Sequence, residues 1–412
     1  MSPSSRRTFL RTIAGSAAAS AISPRLLWAA PPLRLAEPQT AAVLGAGRQG
    51  RAILTELAKI DGLTVVAVCD PKESRRRSGL RRARGAEGFA EHPAALAKKP
   101  DLAFVATPSH LHRTVAEDAL AAGCHVYCEA PLATTIEDCQ ALASAARESG
   151  RVFHTGMLGR TNPIYKLARS FVRGGAIRDI TGLRAQHNRK TSWRAPASTP
   201  QEEAALNWRL DPNVSLGLEG EWGIQQFDVA HWFLGAYPTS VSGSGSIQMH
   251  KDGREVPDTV TVELAFPGER RLAYSATLAN SFEDTYELFQ GTMGTVKLAQ
   301  TAGWLFKEAD AATQGWEVYA NRQHFHNEAG ITLIADATKL AAQDKLKDGV
   351  GLPSPPLFYG LESFLKSVTD GTPVECSADE GLRAAIVGIK AHEAITNGAA
   401  VTIDPELFKS HG

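Results

Sequence analysis

From Thr40 onward the chain alternates short apolar runs with amphipathic stretches, a pattern that predicts parallel strands covered by helices on both faces. Thr40 to Leu44 is the first apolar run, Arg51 to Ile60 a helix-like stretch, and Leu63 to Cys69 a second strand. The alternation continues through Asp101 to Thr107, His110 to Ala122, His125 to Glu129, Thr134 to Ser149 and Val152 to His154. Past Gly156 the pattern changes. A long helical stretch, Pro163 to Gly174, precedes strand candidates near Ile180 to Asn188, Ser240 to Met249, Thr259 to Phe266, Arg271 to Leu278, Tyr286 to Gln290 and Thr295 to Leu298. Helical periodicity returns at Phe358 to Thr369 and Ala378 to Asn397. The expected fold is α/β plus α+β. Residues 37–155 form a doubly wound parallel sheet, and residues 156–412 form a domain on a largely antiparallel open sheet with helices on one face.

The segment ahead of Thr40 has another character. Ser5-Arg6-Arg7-Thr8-Phe9-Leu10 is followed by small and weakly apolar residues from Ile13 to Ile22 and then by Leu26-Leu27-Trp28-Ala29-Ala30. Adjacent arginines, Phe-Leu just after them and the absence of acids read as a twin-arginine export signal. Residues 1–36 are therefore set aside as signal and linker, and a periplasmic or otherwise exported location is expected. No later stretch approaches the roughly 18 continuous apolar residues of a membrane span, so no membrane attachment is expected after cleavage. At 412 residues the chain is long enough for two domains. Its 44 basic and 44 acidic residues balance, and losing the first 30 residues removes four arginines and no acid. That balance carries no nucleic-acid footprint. The five cysteines, Cys69, Cys124, Cys128, Cys139 and Cys376, are odd in number, which argues against a disulfide framework.

Chemistry enters at the first strand–helix junction, where Gly45-Ala46-Gly47-Arg48-Gln49-Gly50 follows a strand and opens a helix, with Asp70 closing the next strand. That is the dinucleotide fingerprint in its required context. Gly45 allows the tight turn, Gly47 lets backbone approach a diphosphate, Gly50 lets helix and strand pack closely, and the helix N-terminus offers free N–H groups. Asp70 stands where a carboxylate accepts from ribose hydroxyls, which favours NAD over NADP. The basic run Lys72, Arg75, Arg76, Arg77, Arg81, Arg82 and Arg84 is the counter-argument, since any of these can receive a 2′-phosphate.

Taken with Thr107-Pro108-Ser109-His110-Leu111-His112, Cys128-Glu129-Ala130-Pro131-Leu132, Gly156-Met157-Leu158-Gly159-Arg160 and the segment Glu221 to Trp232, this fingerprint makes residues 38 to 403 resemble the Gfo/Idh/MocA family. The resemblance implies a nicotinamide cofactor in the first domain, with Arg48, Gln49, Thr107, Pro108, His112 and Glu129 joining the glycines and Asp70. It implies a carbohydrate substrate between the domains and a homo-oligomer, dimer or tetramer, built on the second sheet. Asn188-Arg189-Lys190-Thr191-Ser192-Trp193-Arg194 and Asn207-Trp208-Arg209-Leu210 look most like the exported, sugar-acting branch.

Two departures stand out. The family's Glu-Lys-Pro is here Glu129-Ala130-Pro131, and the histidine of Gly-x-His-x-x-Asp is Gln225, so both usual proton acceptors are missing. Hydride removal from an alcohol needs a base, worth roughly a hundred- to ten-thousandfold in rate. Asp228, Glu221 and His187 are the replacement candidates, each with a structural alternative: pairing with an arginine, complementing a helix dipole, or packing in a strand. Arg160, Tyr165, Lys166, Gln225 and Trp193 are candidate substrate contacts, with Trp208, Trp222 and Trp232 as further stacking faces and Arg194 and Arg209 as carboxylate binders. His231 lies one helical turn from Asp228, but without two more ligands no metal is expected. Three functions follow: an NAD(P)-dependent sugar oxidoreductase with internally recycled cofactor, a hydride-borrowing glycoside hydrolase or lyase, and a binding protein without chemistry.

Overall fold

The computed structural model describes residues 33–314, 317, 320–325, 328–335 and 351–409; the expected export signal falls outside them except for its last four positions. The first of its two sheets has six parallel strands in the order β3-β2-β1-β4-β5-β6. These are β1 (Arg34–Leu44), β2 (Asp61–Cys69), β3 (Glu87–Phe89), β4 (Leu102–Val105), β5 (His125–Cys128) and β6 (Phe153–Thr155). The reversal of strand order between β1 and β4 creates the crevice at which open α/β sheets bind ligands. β1 begins at Arg34, inside the segment set aside as linker, where Arg34 pairs with Asp61. Only its last four residues are fully buried; Ala41 to Leu44 are enclosed because helices cover both faces there.

The second sheet has ten described strands, in the order β14-β15-β13-β12-β11-β7-β10-β9-β8-β16. They are β7 (Ile180–Asn188), β8 (Ser240–Ser246), β9 (Thr259–Ala265), β10 (Arg271–Thr277), β11 (Thr285–Gly291), β12 (Gly294–Ala299), β13 (Ala302–Lys307), β14 (Arg322–His324), β15 (Ala329–Thr332) and β16 (Val401–Thr402). All its pairings are antiparallel except β7 with β10. Buried and half-buried residues alternate along β9 to β12, as expected for a sheet with one packed face. Helices Pro163–Arg173, Ile224–Leu234 and Ala378–Asn397 supply apolar cover.

The C-terminal helices do not stay with the second sheet. Pro356–Thr369 buries Leu361, Phe364 and Leu365 against Phe104 and Tyr127 of the first sheet. The sequence boundary after residue 155 therefore separates the sheets, not the layers that pack on them. All five cysteines are buried and unpaired. No described helix is long and apolar enough to cross a membrane.

Candidate active site

The turn after β1 is built by three glycines with three different needs. Gly45 sits at φ +97°, and a Cβ there would lie 2.4 Å from the Ala106 carbonyl oxygen. A Cβ on Gly50 would lie 1.8 Å from the Gly45 carbonyl oxygen. Gly47 differs: its φ is −62°, open to any residue, and a Cβ would meet no protein atom within 4 Å. Neither conformation nor packing demands glycine at 47, so the space over it is kept for what the cleft binds. No side chain caps the helix Arg48–Leu57 that begins here, which leaves its first N–H groups for an anion. Asp70, 4% exposed, accepts from the Ala46 and Lys72 amides, each at 2.9 Å, so its carboxylate is fixed beside the turn. Of the basic run, Arg76 is tied to the Asp70 carbonyl oxygen and Arg77 to Glu73.

Gln49 Nε2 donates to Glu129 Oε1 at 3.0 Å; burial, only partly offset by that bond, pushes Glu129 up to about 7. Thr107 and Pro108 line the same wall. His112 lines the same cleft. Its ring, 1% exposed, sits between the carbonyl oxygens of Pro131 (2.8 Å) and Thr107 (3.0 Å), and burial pushes it down to about 4. The neutral ring carries one N–H and so donates to one of these two carbonyl oxygens while packing between the Thr107 loop and the Ala130-Pro131 segment.

The facing wall comes from the second sheet and its helices. Asn162 accepts from the amides of Ile164 and Tyr165, and Pro163 occupies the first turn, so the helix Pro163–Arg173 starts with Tyr165 held in place. The Tyr165 hydroxyl donates to Glu287 Oε2 at 2.5 Å and accepts from the Gln300 amide at 3.2 Å. Glu287, 5% exposed, is pushed up to about 8 by burial, which the Tyr165 bond only partly offsets. A π-helical turn, Glu219–Gly223, precedes Ile224–Leu234 and turns Glu221 into the cleft. Glu221 Oε2 accepts from Ser109 Oγ at 3.0 Å and lies 3.6 Å from Arg209 Nε, while Oε1 has no hydrogen-bond partner. Burial raises this carboxyl against the Arg209 charge and the Ser109 bond.

A ladder of rings crosses the cleft. His187 stacks on Trp222 at 3.9 Å, Trp222 meets Trp193 edge-on at 5.1 Å, and the Arg209 guanidinium lies 5.6 Å from Trp193 and 4.4 Å from Trp208. Trp193 holds a left-handed backbone, φ +61°, a costly conformation for a bulky residue that recurs at binding sites. Burial, assisted by Arg189 and Arg48 against Asp284, pushes His187 down to about 4, so it is neutral at pH 7. Gln225 lines the cleft with its amide spent on backbone, accepting from Leu158 N and donating to the Gly156 carbonyl oxygen.

Both walls enclose one cleft of about 1490 Å³. Four residues expected to meet substrate lie off it, Asp228, Arg160, Lys166 and Trp232. Asp228 and Arg160, 4% and 6% exposed, form a two-bond ion pair at 2.8 and 2.7 Å, and Arg160 also reaches Glu380 at 3.0 Å. Both carboxylate oxygens are taken by Arg160 inside the helix layer, and neither residue lines the cleft. Lys166 points outward to Glu375. Trp232 stacks under Arg169, and His231 is bound to the Ala236 carbonyl oxygen. Arg194 lines the cleft but is paired with Glu203 and Asp252. The described residues contain no metal-holding group of His, Cys, Asp and Glu.

Sequence reasoning missed Glu287, although a signal existed. In a strand of alternating burial it shares parity with Phe289, and an inward acid is expensive unless it has work to do. It also missed the helix Pro200–Leu206, whose Glu202 pairs with Lys72 beside Asp70 at 2.5 Å and so bridges the two walls.

The profile of the Gfo/Idh/MocA oxidoreductase family's NAD-binding Rossmann fold matches residues 40–157, and that of its C-terminal alpha/beta domain matches residues 186–403. The chain belongs to the Gfo/Idh/MocA oxidoreductase family. Its Rossmann half is an NAD-binding domain. Among relatives in this family, scyllo-inositol 2-dehydrogenase (NAD(+)) of Bacillus subtilis is 25% identical over 369 residues, 88% of this chain and 96% of that protein. A 2,7-anhydro-N-acetylneuraminate hydratase of Escherichia coli is 27% identical over 213 residues, and the match spans about half of each chain, 50% of this one and 54% of the hydratase. A levoglucosan dehydrogenase solved with NADH and levoglucosan superposes with a TM-score of 0.71 at 18% identity, covering 89% of this chain and all of that one, which establishes a shared fold.

Proposed function

We propose that this Gfo/Idh/MocA protein is an exported NAD-dependent oxidoreductase that removes hydride from a sugar carbinol and keeps its cofactor between half-reactions. The observation that carries the reading is the continuity of the cleft from the open space over Gly47 to the buried carboxyl of Glu287. Bound NAD supplies the hydride acceptor. Gly47, the free amides of the following helix, Asp70, Gln49 and Glu129 would hold it. The substrate hydroxyl proton passes to the ionised form of Glu287, which a value of about 8 makes increasingly available as pH rises towards 8, near working pH, where a general base is most effective. Tyr165 keeps the accepting carboxyl oriented through its hydroxyl. Glu221 Oε1, buried and without a partner, takes a second sugar hydroxyl, and Trp193, Trp208 and Trp222 provide flat faces for the ring.

Retention of the cofactor rests on the Lys72–Glu202 bridge across the cleft and on the paired arginines at positions 6 and 7, since a protein exported folded carries its dinucleotide along. A dimer or tetramer formed on the half-open face of the second sheet belongs to the same proposal. Purification of the intact chain from a host with a twin-arginine pathway, followed by denaturation, is the direct test. Released dinucleotide, and near-ultraviolet absorbance of reduced nicotinamide on adding sugar to holoprotein, are the expected results; an empty protein inert to sugars overturns the reading.

Similarity to a hydratase favours one second reading, in which the hydride is returned after an elimination or hydration and no net oxidation occurs. Deuterium incorporation at the carbon beside the oxidised one, with no net NADH, identifies it.

A further inference from the structure

We infer that the substrate of this cleft is an anionic sugar, its negative charge taken up by Arg189 and Arg209. The inference rests on the proposed function and adds the substrate class. On the second-sheet side, three arginines line the cleft: Arg189, Arg194 and Arg209. Arg194 is neutralised by Glu203 and Asp252. Arg189, directly after β7, has no ion-pair partner among the described residues. Arg209 has only Glu221, at 3.6 Å and beyond hydrogen-bond reach, and its Nε is buried without an acceptor. Its plane is fixed by Trp208 at 4.4 Å and Trp193 at 5.6 Å.

The carboxyls on this side do not offset these charges. Glu202 is committed to Lys72, and Glu287 is neutral at pH 7 because burial raises it to about 8. Burial and the like charges of Arg189 and Arg209 also lower Arg48, so the three guanidinium groups share one space. Such a cluster is unfavourable until anions enter it. Arg48 opens the helix at the glycine turn, where a bound dinucleotide would supply its counterion. Arg209 lies beside Trp193 and Trp208 instead, and Arg189 lines the cleft directly after β7. A planar guanidinium meets a carboxylate with two parallel bonds, and a neutral sugar leaves Arg189 unpaired and Arg209 with only the Glu221 carboxyl at 3.6 Å, a penalty charged against the wrong substrate.

The experiment titrates holoprotein with matched sugars and reads tryptophan fluorescence, with nicotinamide absorbance in parallel. Glucuronate and galacturonate are compared with glucose and galactose, and glucose 6-phosphate separates phosphate from carboxylate recognition. At least about tenfold tighter binding of the acids, declining as salt rises, is expected. Arg189→Gln and Arg209→Gln each shrink that preference by about tenfold or more while dinucleotide content stays at one per chain. Equal binding of acids and neutral sugars overturns the inference and leaves the oxidoreductase reading intact. Loss of dinucleotide in Arg189→Gln with the acid preference unchanged reassigns the arginines to the cofactor. Failure of every sugar to bind or to reduce nicotinamide removes both.

Discussion

The two walls of the cleft are specified in different materials. The Rossmann wall is made of backbone: three glycines, a bare helix N-terminus and one carboxylate anchored to amides within a 26-residue stretch. The opposite wall is made of side chains, from Tyr165, His187, Trp193, Arg209, Glu221 and Glu287, drawn from several separated segments and oriented by one another. Backbone cradles tolerate little variation because their constraint is steric. A wall of side chains can exchange one proton acceptor for another while the fold stays as it is. On the proposed reading Glu287 supplies from this wall the proton acceptor that neither Ala130 nor Gln225 can be.

The largest expected effect tests the backbone wall against itself. Gly47→Val abolishes dinucleotide retention yet folds, because a Cβ there meets no protein atom within 4 Å and its φ suits any residue. Gly50→Ala, three residues further along the same motif, drives a methyl into the Gly45 carbonyl oxygen and lowers the melting temperature steeply. Cofactor content after denaturation and thermal unfolding separate the two. Dinucleotide retained at wild-type level in Gly47→Val removes the cradle from the account.

On the side-chain wall, Glu287→Gln is expected to slow hydride transfer by roughly a hundred- to ten-thousandfold while dinucleotide content is unchanged. Tyr165→Phe costs less, because it removes orientation and not the acceptor. In the wild type the rate of alcohol oxidation rises with pH towards about 8, as Glu287 loses its proton, and Glu287→Gln loses that rise. A Gln variant as fast as wild type returns the base to Glu221 or His187. Asp228→Ala marks the boundary of the site. Leaving Arg160 with its main counterion gone inside the helix layer costs on the order of 3–5 kcal/mol of stability. Measured by denaturant titration, that loss is accompanied by unchanged Kd for dinucleotide.

What was legible in the residues follows the same division. The Rossmann strands and the glycine turn could be read because parallel strands are continuous apolar runs and because the fingerprint is local. β3 was missed, since Glu87-Gly88-Phe89 is three residues long and none is fully buried. β13 to β16 were missed as well; β14 is an exposed Arg-Gln-His edge with no apolar pattern at all. Asp228 drew attention by its position in a motif, and only the fold could reveal that Arg160, 68 positions earlier, meets it. Glu287 gained its meaning from Tyr165, 122 positions away, a relation that no local spacing records.

The smallest effect compares the walls through their protons. Glu129 on the backbone wall and Glu287 on the other are raised by burial from 4.5 to about 7 and about 8. Above about 4.5 an unfolded chain has released both protons and the folded apoprotein has not, so folded protein binds more protons across this window. Stability therefore falls as pH rises, the slope contributed by each carboxyl being at most about 1.4 kcal/mol per pH unit. The Glu129 contribution ends near 7 and that of Glu287 persists to about 8, so the two can be told apart on one curve. Glu129→Gln flattens the decline below neutrality, and Glu287→Gln flattens it up to about 8. Denaturant unfolding of apoprotein over this range reads the slopes directly, and a curve with the same slope in Glu287→Gln as in wild type shows that the carboxyl of Glu287 is already ionised at neutrality and is not the poised base of the second wall.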